Sequence, residues 1–195
     1  ATETFPEPKP ILNLHAHTFF SYNYRGYSPS HFALEAKRHG LETSGIVEFD
    51  CLDGLDEFLA AARLLNLKGA VGVESRVFVP EFADREINSP GEPGISYHMG
   101  IGFTTTDIPA EAQIFLDGMR NTSTDRNRGL VDRVNAHLAP VIVDYDADVL
   151  PLTPAGNATQ STPLVIYRSL PRASSSVATG VRPTNLEKYF VRKLF

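Results

Sequence analysis

Residues 12–50, LNLHAHTFFSYNYRGYSPSHFALEAKRHGLETSGIVEFD, carry two strand patterns separated by one well-marked helix. Residues 10–14 (PILNL) form a short apolar run that predicts a first strand. Ser28 followed by Pro29 marks a helix start, because the serine hydroxyl can accept a backbone N–H and proline lacks the N–H that a first turn leaves unpaired. The helix continues through HFALEAKRH, and Gly40 stands where the left-handed residue of a C-terminal cap belongs. Residues 43–49 (TSGIVEF) read as a second strand.

The same alternation continues downstream. Asp53 is placed to cap a helix with Leu55, Phe58, Leu59, Ala62 and Leu65 on one face, and residues 69–79 (GAVGVESRVFV) predict a third strand. The proline- and glycine-rich stretch 80–96 reads as a long loop with the character of a lid. A strand over 97–103 (YHMGIGF), helices over 109–120 and 124–138, and a strand over 140–144 (PVIVD) follow. Repeated βα units of this kind predict an α/β fold with a mainly parallel sheet and outer helices. From residue 151 the sequence turns rich in Ser, Thr, Pro and Gly, with LVIY (164–167) as a lone strand pattern and NLEKYFVRKLF (185–195) as a helix-like end. The expected organisation is a metal-binding domain over 1–150 and a polar tail over 151–195.

Composition narrows the chemistry. A chain of 195 residues, 42% of them apolar, can fill one real core but hardly two. Its single cysteine, Cys51, excludes an internal disulfide and any cysteine-based zinc site, so a metal would need imidazole and carboxylate ligands. The net charge of -5 gives no global attraction to nucleic acid or acidic lipid. No apolar run is long enough for a bilayer and the start, ATETFPEPKP, lacks a signal-peptide layout, so the default expectation is a cytoplasmic protein. The alanine start and the abrupt end after KYFVRKLF lead us to expect a fragment or a processed product.

His15 and His17 lie two apart at the end of the first strand, and alternation puts both imidazoles on one side. That arrangement supplies the first two ligands of a metal site; its plain counterpart is a pair of surface histidines. Strand two ends in Glu48-Phe49-Asp50, strand three carries Glu74 inside an apolar run, and the next strand opens with His98. In parallel βα folds the C-terminal strand ends gather around one pocket, so these residues can meet. An ionised Glu74 among apolar neighbours needs a cation, either a metal or Arg76.

The combination of HAHT, a serine a few residues on, the Ser-Pro-capped helix ending in HGL, the acidic strand end, GVES and SYHMGIGF resembles the PHP (polymerase and histidinol phosphatase) family over residues 10–103. The resemblance implies a distorted βα barrel that holds zinc, manganese or iron ions for cleaving phosphate esters. By motif, His15 and His17 would bind one metal, Glu74 would bridge two, and His98 would serve the second. Two departures stand out. Phe49 replaces an expected histidine, while Glu48 can stand in for the family's aspartate and Asp50 can serve as a ligand or hold a ligand histidine by a hydrogen bond, and the family's closing Asp-x-His is absent after His98. The barrel is therefore expected to be incomplete, its open sheet edge needing a second copy or a missing C-terminal segment to cover it.

The implied activity is attack of metal-activated water on a small phosphate ester or nucleotide, with two ions if the site is intact and with His15, His17 and Glu74 at its centre. No P-loop, dinucleotide fingerprint or nucleophile elbow competes with it. Arg25, Arg76 and Arg85 are the candidates for gripping the phosphate, and Tyr22, Tyr24 and Tyr97 for walling the pocket. Asp144, Asp146 and Asp148 fit a solvated or capping role better than a metal role, and His137 a helix end. Two rival readings remain open: a degenerate module that binds a metal or partner without turnover, and an amidohydrolase-like enzyme sharing the HxH start.

Overall fold

The computed structural model describes residues 4–21, 23–24, 26–105, 107–138 and 142–153. The expected strand over 164–167 and the helix over 185–195 lie outside the described residues. The chain divides into two compact units, Ala1–Asp117 and Gly118–Phe195.

The first unit is built on a four-stranded sheet in the order β1 (Lys9–Asn13), β2 (Leu41–Phe49), β3 (Lys68–Phe78), β4 (Ile95–Phe103). Two helices, α1 (Pro29–Arg38) and α2 (Leu55–Leu64), supply the crossovers between the parallel strands β1, β2 and β3. The sheet curls as half a barrel, in line with the incomplete α/β barrel expected from the sequence. Ile46 and Val71 on one face of the sheet pack with Ala33, Ala36, Leu55, Phe58 and Ala62 of the helices to make the core. The Ser28 hydroxyl accepts the His31 N–H at the start of α1, and Gly40 adopts a φ of +73° beyond its end. Both signals were legible in the sequence.

The start of α2 differs from expectation. Gly54, not Asp53, holds the N-cap position. A Cβ there would lie 3.0 Å from Ile46 Cδ1 and 3.1 Å from Pro29 Cγ, so packing between the two crossovers selects glycine over a capping side chain.

The larger correction concerns β4, which pairs with β3 in antiparallel sense. Residues 79–94 are therefore the connection of a hairpin, not a βα crossover. It is tied down along its length: Val79 N–H donates to Gly94 C=O at 2.8 Å, Gly94 N–H to Arg85 C=O at 2.7 Å, and the Glu92 carboxylate pairs with Arg76.

A single helix, α3 (Ala110–Leu138), replaces the two expected over 109–120 and 124–138. The Asn121-Thr122-Ser123 interruption is absorbed because Thr122 and Thr124 return their hydroxyl protons to the carbonyls of Gly118 and Arg120. In the second unit, Val131, Val134, Val143 and Val149 are buried, and the Asn135 amide makes both hydrogen bonds to the backbone of Val143. Residues 142–144 are not a strand; Asp144 caps a π-helical turn, Tyr145–Val149, and Asp146 forms a two-pronged pair with Arg128. These aspartates thus take the capping and surface roles expected of them. No helix among the described residues is long and apolar enough to cross a membrane.

Phe58 is fully buried and Leu64 is 88% exposed on the same helix. Phe58→Ala is expected to lower the unfolding free energy by about 3–5 kcal/mol, and Leu64→Ala by less than about 0.5 kcal/mol. Equal losses in urea denaturation would contradict this placement of the core.

Candidate metal centre

The β2–β3 ladder sets which side chains meet. Val47 lies opposite Gly72 and Phe49 opposite Glu74, so Phe49 and Glu74 share the face turned away from α1 and α2. β1 ends at Asn13, and the chain beyond it continues alongside β2, where Val47 N–H donates to Ala16 C=O at 2.8 Å. This extension carries His15 and His17 to Glu74. Their Nε2 atoms lie 3.2 and 3.3 Å from the same carboxylate oxygen, Glu74 Oε2. The three donor atoms all fall within 4.8 Å of one another.

The spacing fits a cation. With bonds of ~2.1 Å, adjacent ligand atoms are about 3.0 Å apart in an octahedral shell and about 3.4 Å apart in a tetrahedral one. Both observed separations lie between these values. Burial and the neighbouring His15 push the His17 pKa down to about 4, against an opposing backbone contact with Val47. His17 is therefore a neutral imidazole at neutral pH, the form a metal ligand requires. Phe49 stacks on it at 4.6 Å, and Tyr97 lies 6.3 Å from Phe49, so the ring has an apolar wall.

The other sequence candidates separate from this cluster. Glu48 alternates to the opposite side of β2 from Phe49 and is fully buried. Its Oε1 accepts the Thr18 N–H at 3.0 Å and the Thr18 hydroxyl, and its Oε2 accepts the Ser21 hydroxyl at 2.5 Å. It is an anchor for the loop that bears the histidines, not a member of the three-residue cluster. Asp50 turns the chain out of β2 with a φ of 54° and donates its N–H to Glu74 C=O at 3.0 Å; it too is outside the cluster. The reversed sense of β4 moves His98. Met99 lies opposite Glu74 and His98 opposite Ser75, which puts His98 on the other face, where it is exposed.

Among the arginines, Arg76 shares the Glu74 face by alternation and is paired with Glu92. Arg85 is 73% exposed beside Asp84, and Arg25 falls outside the described residues, as does Tyr22. Sequence reasoning left Thr18 and Ser21 without a role and took Glu48 for a ligand. The signal that separates them is the strand alternation itself, which sends Glu48 and Phe49 to opposite faces.

No protein-family model and no curated protein matches the chain. Among solved structures, it is similar to a protein from Bifidobacterium adolescentis assigned as a metal-dependent phosphoesterase, at 19% identity and a TM-score of 0.62, over 87% of this chain and 52% of the other. It is also similar to an amidohydrolase from Chromobacterium violaceum, solved with bound sulfate and no metal, at 21% identity and a TM-score of 0.60, over 86% and 51%. These likenesses establish the fold. The chain spans about half the length of each neighbour.

Burial drives the Glu48 pKa up to about 7, against the hydrogen bonds from Ser21 and Thr18. Its folded-state value thus exceeds the ordinary 4.5, so the folded chain holds this proton more tightly than the unfolded chain does. The resulting stability is full below the unfolded value and is lost as pH rises through about 7. Glu48→Gln removes that dependence. The Tm difference, variant minus native, is expected to become more positive between about pH 5 and about pH 8 in thermal melts. A difference that stays constant or falls would show that the carboxylate is ionised throughout.

Proposed function

We propose that this chain carries the metal-binding half of a PHP-type phosphoesterase that hydrolyses a small phosphate monoester or a nucleotide. One observation supports it above the rest: two imidazoles and a carboxylate, 59 and 57 residues apart in sequence, converge within reach of one cation. Both neighbours of the fold are named as hydrolases, one of them as metal-dependent and the other with a sulfate, a tetrahedral dianion of phosphate shape, bound.

The residues fit zinc, manganese or iron, because neutral imidazole and carboxylate suit these ions. A bound divalent ion supplies a Lewis acid that brings the pKa of water towards about 7 and offsets charge on phosphate oxygens. His15, His17 and Glu74 hold and orient it. Phe49 keeps water from one face of His17. Of the three arginines, Arg76 is the proposed phosphate ligand because it shares the Glu74 face, and it would exchange its pairing with Glu92 for the phosphate.

One cation is the proposed stoichiometry. The second ion implied by the family resemblance has lost two of its supports, since Phe49 stands for a histidine and His98 lies on the opposite face. This also favours a second reading, a module that binds a metal without turnover.

Manganese-loaded protein is expected to hydrolyse p-nitrophenyl phosphate, and Glu74→Gln and the His15→Ala, His17→Ala double variant to lose more than the about 10–100-fold typical of an outer partner. Asp50→Asn is expected to lose less than Glu74→Gln. Metal binding without turnover would favour the module, and hydrolysis of a cyclic amide instead would favour the amidohydrolase reading.

A further inference from the structure

Ser21 sits at a junction of three groups. Its hydroxyl oxygen lies 2.5 Å from Glu48 Oε2, 3.1 Å from the Phe49 N–H nitrogen and 3.2 Å from His17 Nδ1. A serine hydroxyl has one proton to give and two lone pairs to fill. Above about pH 7, where Glu48 is ionised, its carboxylate can only accept, so the proton goes to Glu48, and the backbone N–H of Phe49 takes one lone pair. The remaining contact can be made in one way: His17 Nδ1 carries the hydrogen and Ser21 accepts it.

We propose that Glu48, acting through Ser21, is the positioning residue that locks His17 in its Nδ1–H tautomer and so leaves Nε2 bare for a metal. The consequence is visible on the other side of the ring. A bare Nε2 faces Glu74 Oε2 at 3.3 Å, two electron-rich atoms with no hydrogen between them. A cation placed between them turns that repulsion into two bonds. Thr18 serves the same end, since its N–H and hydroxyl occupy Glu48 Oε1 and leave Oε2 to Ser21. The lock is a property of the metal-free chain; only its use, to present Nε2, rests on the functional reading above.

Glu48→Gln reverses the junction with little change of shape. The variant's carbonyl can keep both Thr18 donors, while its amide must donate to Ser21. The serine proton is then released towards His17 Nδ1, which drives the hydrogen of the ring to Nε2 and blocks the metal-binding nitrogen.

The test is a long-range 1H–15N correlation spectrum of metal-free, 15N-histidine-labelled protein at about pH 8.5, where histidine is neutral. The His17 signals are assigned by their loss in His17→Ala. Native protein is expected to give the Nδ1–H pattern and Glu48→Gln the Nε2–H pattern. Zinc affinity, measured by competition with a chelator, is expected to fall by about 10–100-fold in Glu48→Gln. Ser21→Ala should lose the single-tautomer pattern and Ser21→Thr should restore it, which decides the matter even if Glu48→Gln does not fold. An Nε2–H pattern in native protein would overturn the proposal. So would retention of Nδ1–H in Ser21→Ala, which would assign the hold to the Val47 carbonyl. Native protein with the expected tautomer but no zinc affinity would leave the lock standing and defeat the metal-site reading instead.

Discussion

The buried carboxylate of Glu48 is the constraint on which the arrangement of this chain turns. An ionised group without access to water is costly, by several kcal/mol even after relaxation, unless donors surround it. Here three donors do so, two from Thr18 and one from Ser21, and all three come from the same short loop. The loop is thereby fastened across the end of β2. His17, next to Thr18 in this loop, is largely buried, and Phe49 on the next strand position closes against it. A residue on the helix-facing side of the sheet thus fixes the geometry of a site on the opposite side.

Much of this was legible from the residue order. Ser28, Pro29 and Gly40 bounded α1 because capping is local chemistry, decided by the residues at each end. The pairing of the HxH motif with Glu74 was also legible, since a carboxylate amid valines needs a cation and the strand ends of parallel βα units gather. What failed depended on the sense of a strand and the phase of a side chain. An apolar run such as YHMGIGF reads the same in either direction, so the antiparallel return of β4, and with it the removal of His98, was invisible. Glu48 and Asp50 were both counted among the acidic residues of one pocket. In the fold, one is buried against the helix layer and the other turns the chain through a left-handed backbone. The continuity of α3 escaped for another reason: threonines that disfavour a helix in isolation return their protons to its own carbonyls.

The half-barrel architecture is shared with larger hydrolases, and fold alone does not select a reaction. The site narrows the choice. Two histidines, each at a distance from the Glu74 oxygen between those of octahedral and tetrahedral shells, a neutral His17, and an arginine on the same sheet face form a set suited to a cation and an anion together. The stack of Phe49 on His17 gives this set a drier wall than a histidine at that position would.

The most direct measurement is X-ray absorption at the metal K-edge of the zinc-loaded protein. The account predicts a first shell at about 2.0–2.1 Å containing two imidazoles, seen by their outer ring scattering, together with carboxylate oxygen. A shell of oxygen alone, or a single imidazole, would contradict it.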